Sequence, residues 1–165
     1  MKKWIIWLGL VFVLAAANAM IVGKENILRH GRTMLFKLAP VDPRSLIQGY
    51  YMALGYEVAL QVPADQIQRH GLLVVRLDEN AVAQFVRVHG SEPLADGEYL
   101  VAYHRKKRLS PGADSFLFQQ SRAEQYRGAK YAELKVAPNG KTVLSGLRGN
   151  NLEPLGQDQN PEKNR

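Results

Sequence analysis

Residues 131–147 read YAELKVAPNGKTVLSGL, and this stretch decides the fold class. Two strand-like runs, 131–136 and 142–147, are joined by Ala137-Pro138-Asn139-Gly140-Lys141. Asparagine and glycine supply the positive-φ positions that a tight β-hairpin requires. Working back from this hairpin, Ser121-Arg122-Ala123-Glu124 fits a capping box, with serine followed three positions later by glutamate. It predicts a helix of about two turns ending near Gly128. Phe116 and Phe118 mark a short strand before it. Residues 82–89 and 97–104 carry alternating or β-branched residues around a turn-rich 90–96, which predicts that they pair with each other, Val88 near Tyr99 and Ala83 near His104.

The upstream half continues the pattern. LLVVRL at 72–77 is a continuous apolar run short enough for a central strand, and Asp78-Glu79-Asn80 follows it as a turn. Residues 63–71 leave room for one irregular or helical turn. From Tyr51 to Leu60, Met52, Leu54, Tyr56, Val58 and Leu60 fall on one face and Ala53, Gly55, Glu57 and Ala59 on the other, the period of a half-buried strand. TMLFKL at 33–38 begins the first strand, and Asp42-Pro43-Arg44-Ser45 is a turn, because proline fixes φ and aspartate bonds the following backbone. Seven or eight short strands with one short helix and no internal repeat define a mainly β domain, a small sandwich or open barrel. It is expected over residues 32–149. After Gly149 the chain turns to Asn, Gln, Pro and charge, and residues 150–165 are expected to be a disordered tail.

The chain has 165 residues and 46% hydrophobic content, enough for one globular domain once the amino-terminal segment is set aside. That segment, WIIWLGLVFVLAAANAMIV at 4–22, carries no charge. Its roughly 19 residues, at about 1.5 Å each, nearly match the hydrocarbon thickness of a bilayer. Lys2 and Lys3 precede it and should stay cytoplasmic. The expectation is a single-pass anchor in the inner membrane, with residues 1–3 as a cytoplasmic stub and the following domain periplasmic or extracytoplasmic. Ala17-Asn18-Ala19 also has the pattern of a signal-peptide cleavage site, so the alternative is a secreted periplasmic binding module beginning at Met20. There are no cysteines, which excludes lipid attachment through cysteine and any disulfide.

A net charge of +7 would ordinarily raise nucleic acid as a partner, but an exported domain rarely meets it. The run His104-Arg105-Lys106-Lys107-Arg108 holds no aromatic residue for base stacking; it reads as a solvated loop, or as a patch attracted to anionic lipid headgroups. No phosphate-binding loop, dinucleotide fingerprint, metalloprotease helix or nucleophile elbow occurs. His30, His70, His89 and His104 share no metal-ligand spacing. Ser45, Ser110 and Ser121 each read as turn or cap residues, and Asp78 and Glu79 as solvated turn carboxylates. These readings assign no catalytic residue, cofactor or metal, and leave enzymatic activity open.

The segment APVDPRSLIQGYYMALGY at 39–56 resembles the signature region of the GDYXXLXY family of bacterial membrane-anchored proteins. Gly49, Tyr51, Leu54 and Tyr56 fit the naming motif, and residues 129–140 and Gly146-Leu147 are similar to the family as well. One position departs from the motif, because its aspartate is Tyr50 here. The resemblance implies an extracytoplasmic accessory or interaction protein working with a polytopic membrane protein. A ligand or partner surface is expected near Asp42, Arg44, Gly49, Tyr50 and Tyr51, since arginine and aromatic residues are favoured at binding hot spots. On the bare residues, Pro40, Pro43 and Gly49 shape a bend into a strand, while Leu54 and Tyr56 alternate into the core with Met52 and Val58. A rival reading is a membrane-tethered hydrolase with its site near Asp42 and Arg44.

Overall fold

The computed structural model describes residues 2–39, 51–106 and 108–156. A long helix, α1 (Lys2–His30), leads into β1 (Arg32–Lys37) with only Gly31 between them. Then follow β2 (Tyr51–Ala53), a one-turn helix α2 (Val58–Gln61), β3 (His70–Leu77), β4 (Ala83–Val88), β5 (Glu98–Arg105), β6 (Leu109–Ser110), β7 (Ser115–Leu117), a 3-10 helix over Gln120–Tyr126, β8 (Tyr131–Val136) and β9 (Thr142–Arg148).

The strands form a three-stranded sheet β1-β8-β9, a ribbon β2-β7 and a four-stranded sheet β4-β3-β5-β6; every pairing in them is antiparallel. The two larger sheets meet where the Leu35 amide donates to the Ala81 carbonyl at 2.9 Å, and where the Ala102 amide donates to the Gly140 carbonyl at 2.8 Å. The result is the expected mainly β domain, an open barrel curved around one core. Phe36, Leu73, Val75, Val101, Ala132 and Leu134 are fully inaccessible at its centre.

The β8–β9 hairpin forms as predicted, with Val136 opposite Thr142. Its turn uses one positive-φ residue and not two. Gly140 alone sits at φ +81°, its amide donating to the Ala137 carbonyl at 2.8 Å, while Asn139 Oδ1 accepts the Lys141 amide at 3.1 Å. That is a three-residue loop with glycine in the left-handed region.

The predicted pairing of 82–89 with 97–104 is overturned. β4 and β5 both pair with β3, on opposite edges: Leu73 aligns with Val88 on one side and Val101 on the other, Leu77 with Ala83, and His70 with His104. The continuous run Leu73-Val74-Val75 is buried throughout, so it takes the central position predicted for it and separates its two neighbours. The Asp78 turn instead closes a β3–β4 hairpin, its Oδ1 accepting the Asn80 and Val82 amides at 2.8 Å each.

The loop between β4 and β5 is held by charge. The Glu98 carboxylate, 4% exposed, takes both oxygens to Arg87 Nη1 at 2.8 Å and accepts the Ala95 amide at 3.0 Å, with Arg76 at 3.8 Å. The Ala95 amide, and then the Arg87 hydrogen bonds, hold its carboxyl below the ordinary glutamate range, against the opposing effect of burial. A lowered folded-state pKa contributes stability above the unfolded value of about 4.3 and loses it as pH falls through the folded value. Glu98→Gln is therefore expected to be less stable than wild type at pH 7, with the gap narrowing as pH falls below the ordinary glutamate range; urea midpoints along a series of falling pH values measure this, and a gap that never narrows would refute it.

Residues 51–60 are not one strand. Tyr51–Ala53 is β2, Tyr56 makes an isolated bridge to Leu38, and Val58–Gln61 turns helical. The alternation nevertheless places Met52, Leu54, Tyr56 and Val58 in the core, whereas Leu60 is 75% exposed. The break follows Tyr56, where Glu57 pairs with Lys37 at 2.9 Å and Pro63 lies too close for a further strand.

The short helix after β7 is 3-10 in geometry and is entered from Gln119 without a side-chain cap, so the predicted capping box does not form. Ser121 lies inside the turn, because the chain must deliver Tyr126 against Phe116 and Phe118, at 5.0 and 5.4 Å between ring centroids. Of the segment expected to be a disordered tail, residues 150–156 are described and are structured. Residues 149–156 fold back on β9, with the Leu155 amide donating to the Leu147 carbonyl at 2.9 Å and Arg148 Nη1 to the Leu152 carbonyl at 2.8 Å. Leu155 packs against the core; the remainder, 157–165, lies outside the described residues.

Candidate functional site

After Ala39, the signature segment re-enters the described structure at Tyr51. There the ribbon β2-β7 pairs Tyr51 with Leu117, Met52 with Phe116 and Ala53 with Ser115. Cross-strand partners share a face, so the ribbon is two-sided: Met52 is 4% exposed and joins the core, while Tyr51 and Leu117 are 40% and 76% exposed. Behind the ribbon, Phe116, Phe118 and Tyr126 form an aromatic cluster that supports it. Of the residues proposed from sequence for a binding surface, Tyr51 lies on this outer face, and Asp42, Arg44, Gly49 and Tyr50 lie outside the described residues.

The two later aromatic and aliphatic residues of the same segment point the other way. Leu54 is 6% exposed and Tyr56 2% exposed. The Tyr56 ring meets Phe36 edge-on at 6.3 Å, and its hydroxyl donates to the Ala113 carbonyl at 2.9 Å. Burial, with the nearby Asp114 charge, pushes this phenol well above its usual range; it is a neutral structural hydroxyl. Gly112 passes so close that a Cβ there would lie 3.1 Å from the Tyr56 hydroxyl and 2.9 Å from Leu134 Cδ2.

A second cluster was not legible in the sequence. The β3–β5 register sets His70 opposite His104, and the β5–β6 register sets His104 opposite Ser110. Asp114 closes the group, its carboxylate 3.1 and 3.2 Å from His104 Nε2 and 3.6 Å from Lys106 Nζ. Burial opposes the charge on Asp114, yet the His104 hydrogen bond and the charges of His104 and Lys106 outweigh it and hold the carboxyl below its ordinary range. No linear spacing signals this group, because its members come from three strands and a loop.

Serine, histidine and aspartate together invite a nucleophilic reading, but the geometry opposes it. A nucleophile must give its proton to a base that the acid holds from the far ring nitrogen. Here Asp114 occupies His104 Nε2, Ser110 Oγ donates to the Gly112 carbonyl at 3.1 Å, and Ser110 is 3% exposed. The cluster ties β5, β6 and the approach to β7 together. Among the described residues, no three side chains of metal-ligating type converge.

A family model described as GDYXXLXY protein matches residues 13–147. The chain belongs to the GDYXXLXY family. Within the family signature as this chain carries it, Leu54 and Tyr56 are core residues and Tyr51 is a surface one, so the motif divides between building the barrel and presenting a face. Tyr50 stands where the family motif has aspartate, so no role needing a carboxylate at that point transfers to this member. No curated protein and no solved structure matches the chain.

Proposed function

We propose that this chain is a membrane-anchored extracytoplasmic accessory protein, its amino terminus cytoplasmic, that engages a polytopic membrane protein through the outer face of the signature region. The observation that carries the reading is the course of α1. Residues 7–30 form a helical stretch whose apolar 18-residue core has mean hydropathy 1.7 and is not buried, and the helix continues through His30 to within one residue of β1. Glu25 and Arg29, 2.8 Å apart, and Asn26 and His30, 2.9 Å apart, brace its polar end.

The same course argues against release after Ala19. That bond lies inside a continuous helix, and a cut would leave Met20, Ile21 and Val22, between 64% and 69% exposed, as an apolar stub on a soluble domain. Retention in the membrane gives these side chains an apolar environment. Lys2 and Lys3 set the orientation.

Tyr51 and Leu117 supply the partner surface, an aromatic and an aliphatic side chain side by side on a ribbon whose other face is in the core. The test is purification of the full chain, tagged at its carboxyl terminus, in mild detergent. Stoichiometric recovery of one multi-span membrane protein is expected, and Leu117→Asp should reduce it at least tenfold, as loss of a hot-spot contact does. Asp42→Ala and Arg44→Ala should weaken capture. Recovery of the chain alone would sink the proposal, and ester turnover abolished by those last two substitutions would replace it with the hydrolase reading.

A further inference from the structure

Where α1 passes the barrel, Ala19, Met20, Gly23, Lys24 and Ile27 form one wall of a cleft of about 570 Å³. Its opposite wall comes from the β5 and β9 edges and the loop after β6, including His104, Pro111, Lys141 and Val143. His70 and His104 also open into an adjoining hollow of about 670 Å³ lined by Arg69, Arg105 and Lys106. Five lysine and arginine residues thus line the two spaces, with no carboxylate among the lining residues. Asp114, paired with His104 and Lys106, is the carboxylate beside them.

We infer that this cleft binds the phosphate-bearing headgroups of anionic phospholipids in the leaflet where α1 emerges. The inference rests on the anchor reading given above. The apolar segment ends at Val22, and at about 1.5 Å per residue Lys24 and Ile27 stand roughly 3 to 8 Å beyond it, the depth of the headgroups. The cleft therefore straddles the boundary between hydrocarbon and water. Its helix wall is apolar at Ala19, Met20 and Ile27 and suits the upper acyl chain of a lipid. The basic residues at and beside the strand ends suit the phosphate, each such charge at a membrane surface favouring anionic lipid about fivefold. Ala19 and Gly23, four apart and small, keep the space between helix and barrel open.

The test is native mass spectrometry of the full chain in non-ionic detergent, titrated with dioleoylphosphatidylglycerol or dioleoylphosphatidylcholine. Wild type should bind the glycerol lipid at least tenfold more tightly than the choline lipid. Arg69→Gln/Arg105→Gln/Lys106→Gln should lower that affinity tenfold to a hundredfold, and Lys24→Gln/Lys141→Gln, on the other walls, about tenfold. All five side chains are exposed, so the variants keep the fold. Arg127→Gln/Lys130→Gln, distant from the cleft, should change nothing. Equal binding of the two lipids, an equal loss in the distant variant, or displacement of lipid by millimolar inorganic phosphate would each overturn the inference. The same spectra report the chain mass: a chain beginning at Met20 defeats the anchor reading itself, whatever lipid it binds.

Discussion

Tyr56→Ala is expected to cost the domain about 3 to 5 kcal/mol, the range for removing a large buried aromatic side chain. The ring is 2% exposed, packs edge-on against Phe36 and is touched from behind by the loop at Gly112, so little can move in to fill the space. Against a typical total of about 5 to 15 kcal/mol, this single change places the fold near its limit. Tyr56→Phe separates the two contributions: it keeps the ring and loses only the bond to the Ala113 carbonyl, for about 1 kcal/mol. Urea unfolding midpoints at constant slope measure both. A Tyr56→Ala midpoint indistinguishable from that of Tyr56→Phe would show that the ring is not a core element.

The second large effect is expected at the other end of the molecule. Leu10→Arg with Val13→Arg puts two charges on one face of α1, three residues apart, near the middle of the apolar segment. Each opposes insertion by about 2.5 to 3.5 kcal/mol at the centre of a spanning helix. The chain should then be lost from alkaline-washed membranes in which the wild type remains. Leu10 and Val13 are 47% and 62% exposed, so the urea midpoint of the barrel should not change. Retention of the double variant at wild-type levels would mean that something other than α1 holds the protein.

Much of the barrel was written locally, and the parts that were not share a cause. Residues 131–147 form their hairpin from neighbouring residues alone, with a turn whose chemistry is visible in the sequence, and the apolar run at 72–77 announces a strand flanked on both sides. What the run could not announce is which strands flank it. β4 and β5 carry equally good strand patterns and are adjacent in sequence, yet the short Asp78 turn captures β4 on one edge of β3 and leaves the other for β5. Likewise the alternation from Tyr51 named the buried side chains correctly down to Val58 while misjudging the backbone, because burial on one face can be met by a strand, a bridge and a helical turn in succession. The His70, His104, Ser110 and Asp114 cluster follows from register, which strand patterns alone do not fix. Tyr51 was legible as a surface candidate through the family motif; its neighbour Leu117 was not, since nothing in SFLF at 115–118 says which side chain faces out.

The junction at Gly31 has a mechanical meaning. Its missing side chain lets the end of α1 lie against Lys135 and Val136, where a Cβ would sit 3.1 Å from the Val136 amide nitrogen, and no linker intervenes before β1. The barrel is thus geared to its helix. Because successive helical residues are offset by about 100°, the number of residues between the apolar segment and Gly31 acts as a phase setting: one residue more or fewer would swing the Tyr51 and Leu117 face roughly a quarter turn around the axis of α1. The compass bearing of that face is fixed by the length of α1 before any partner arrives.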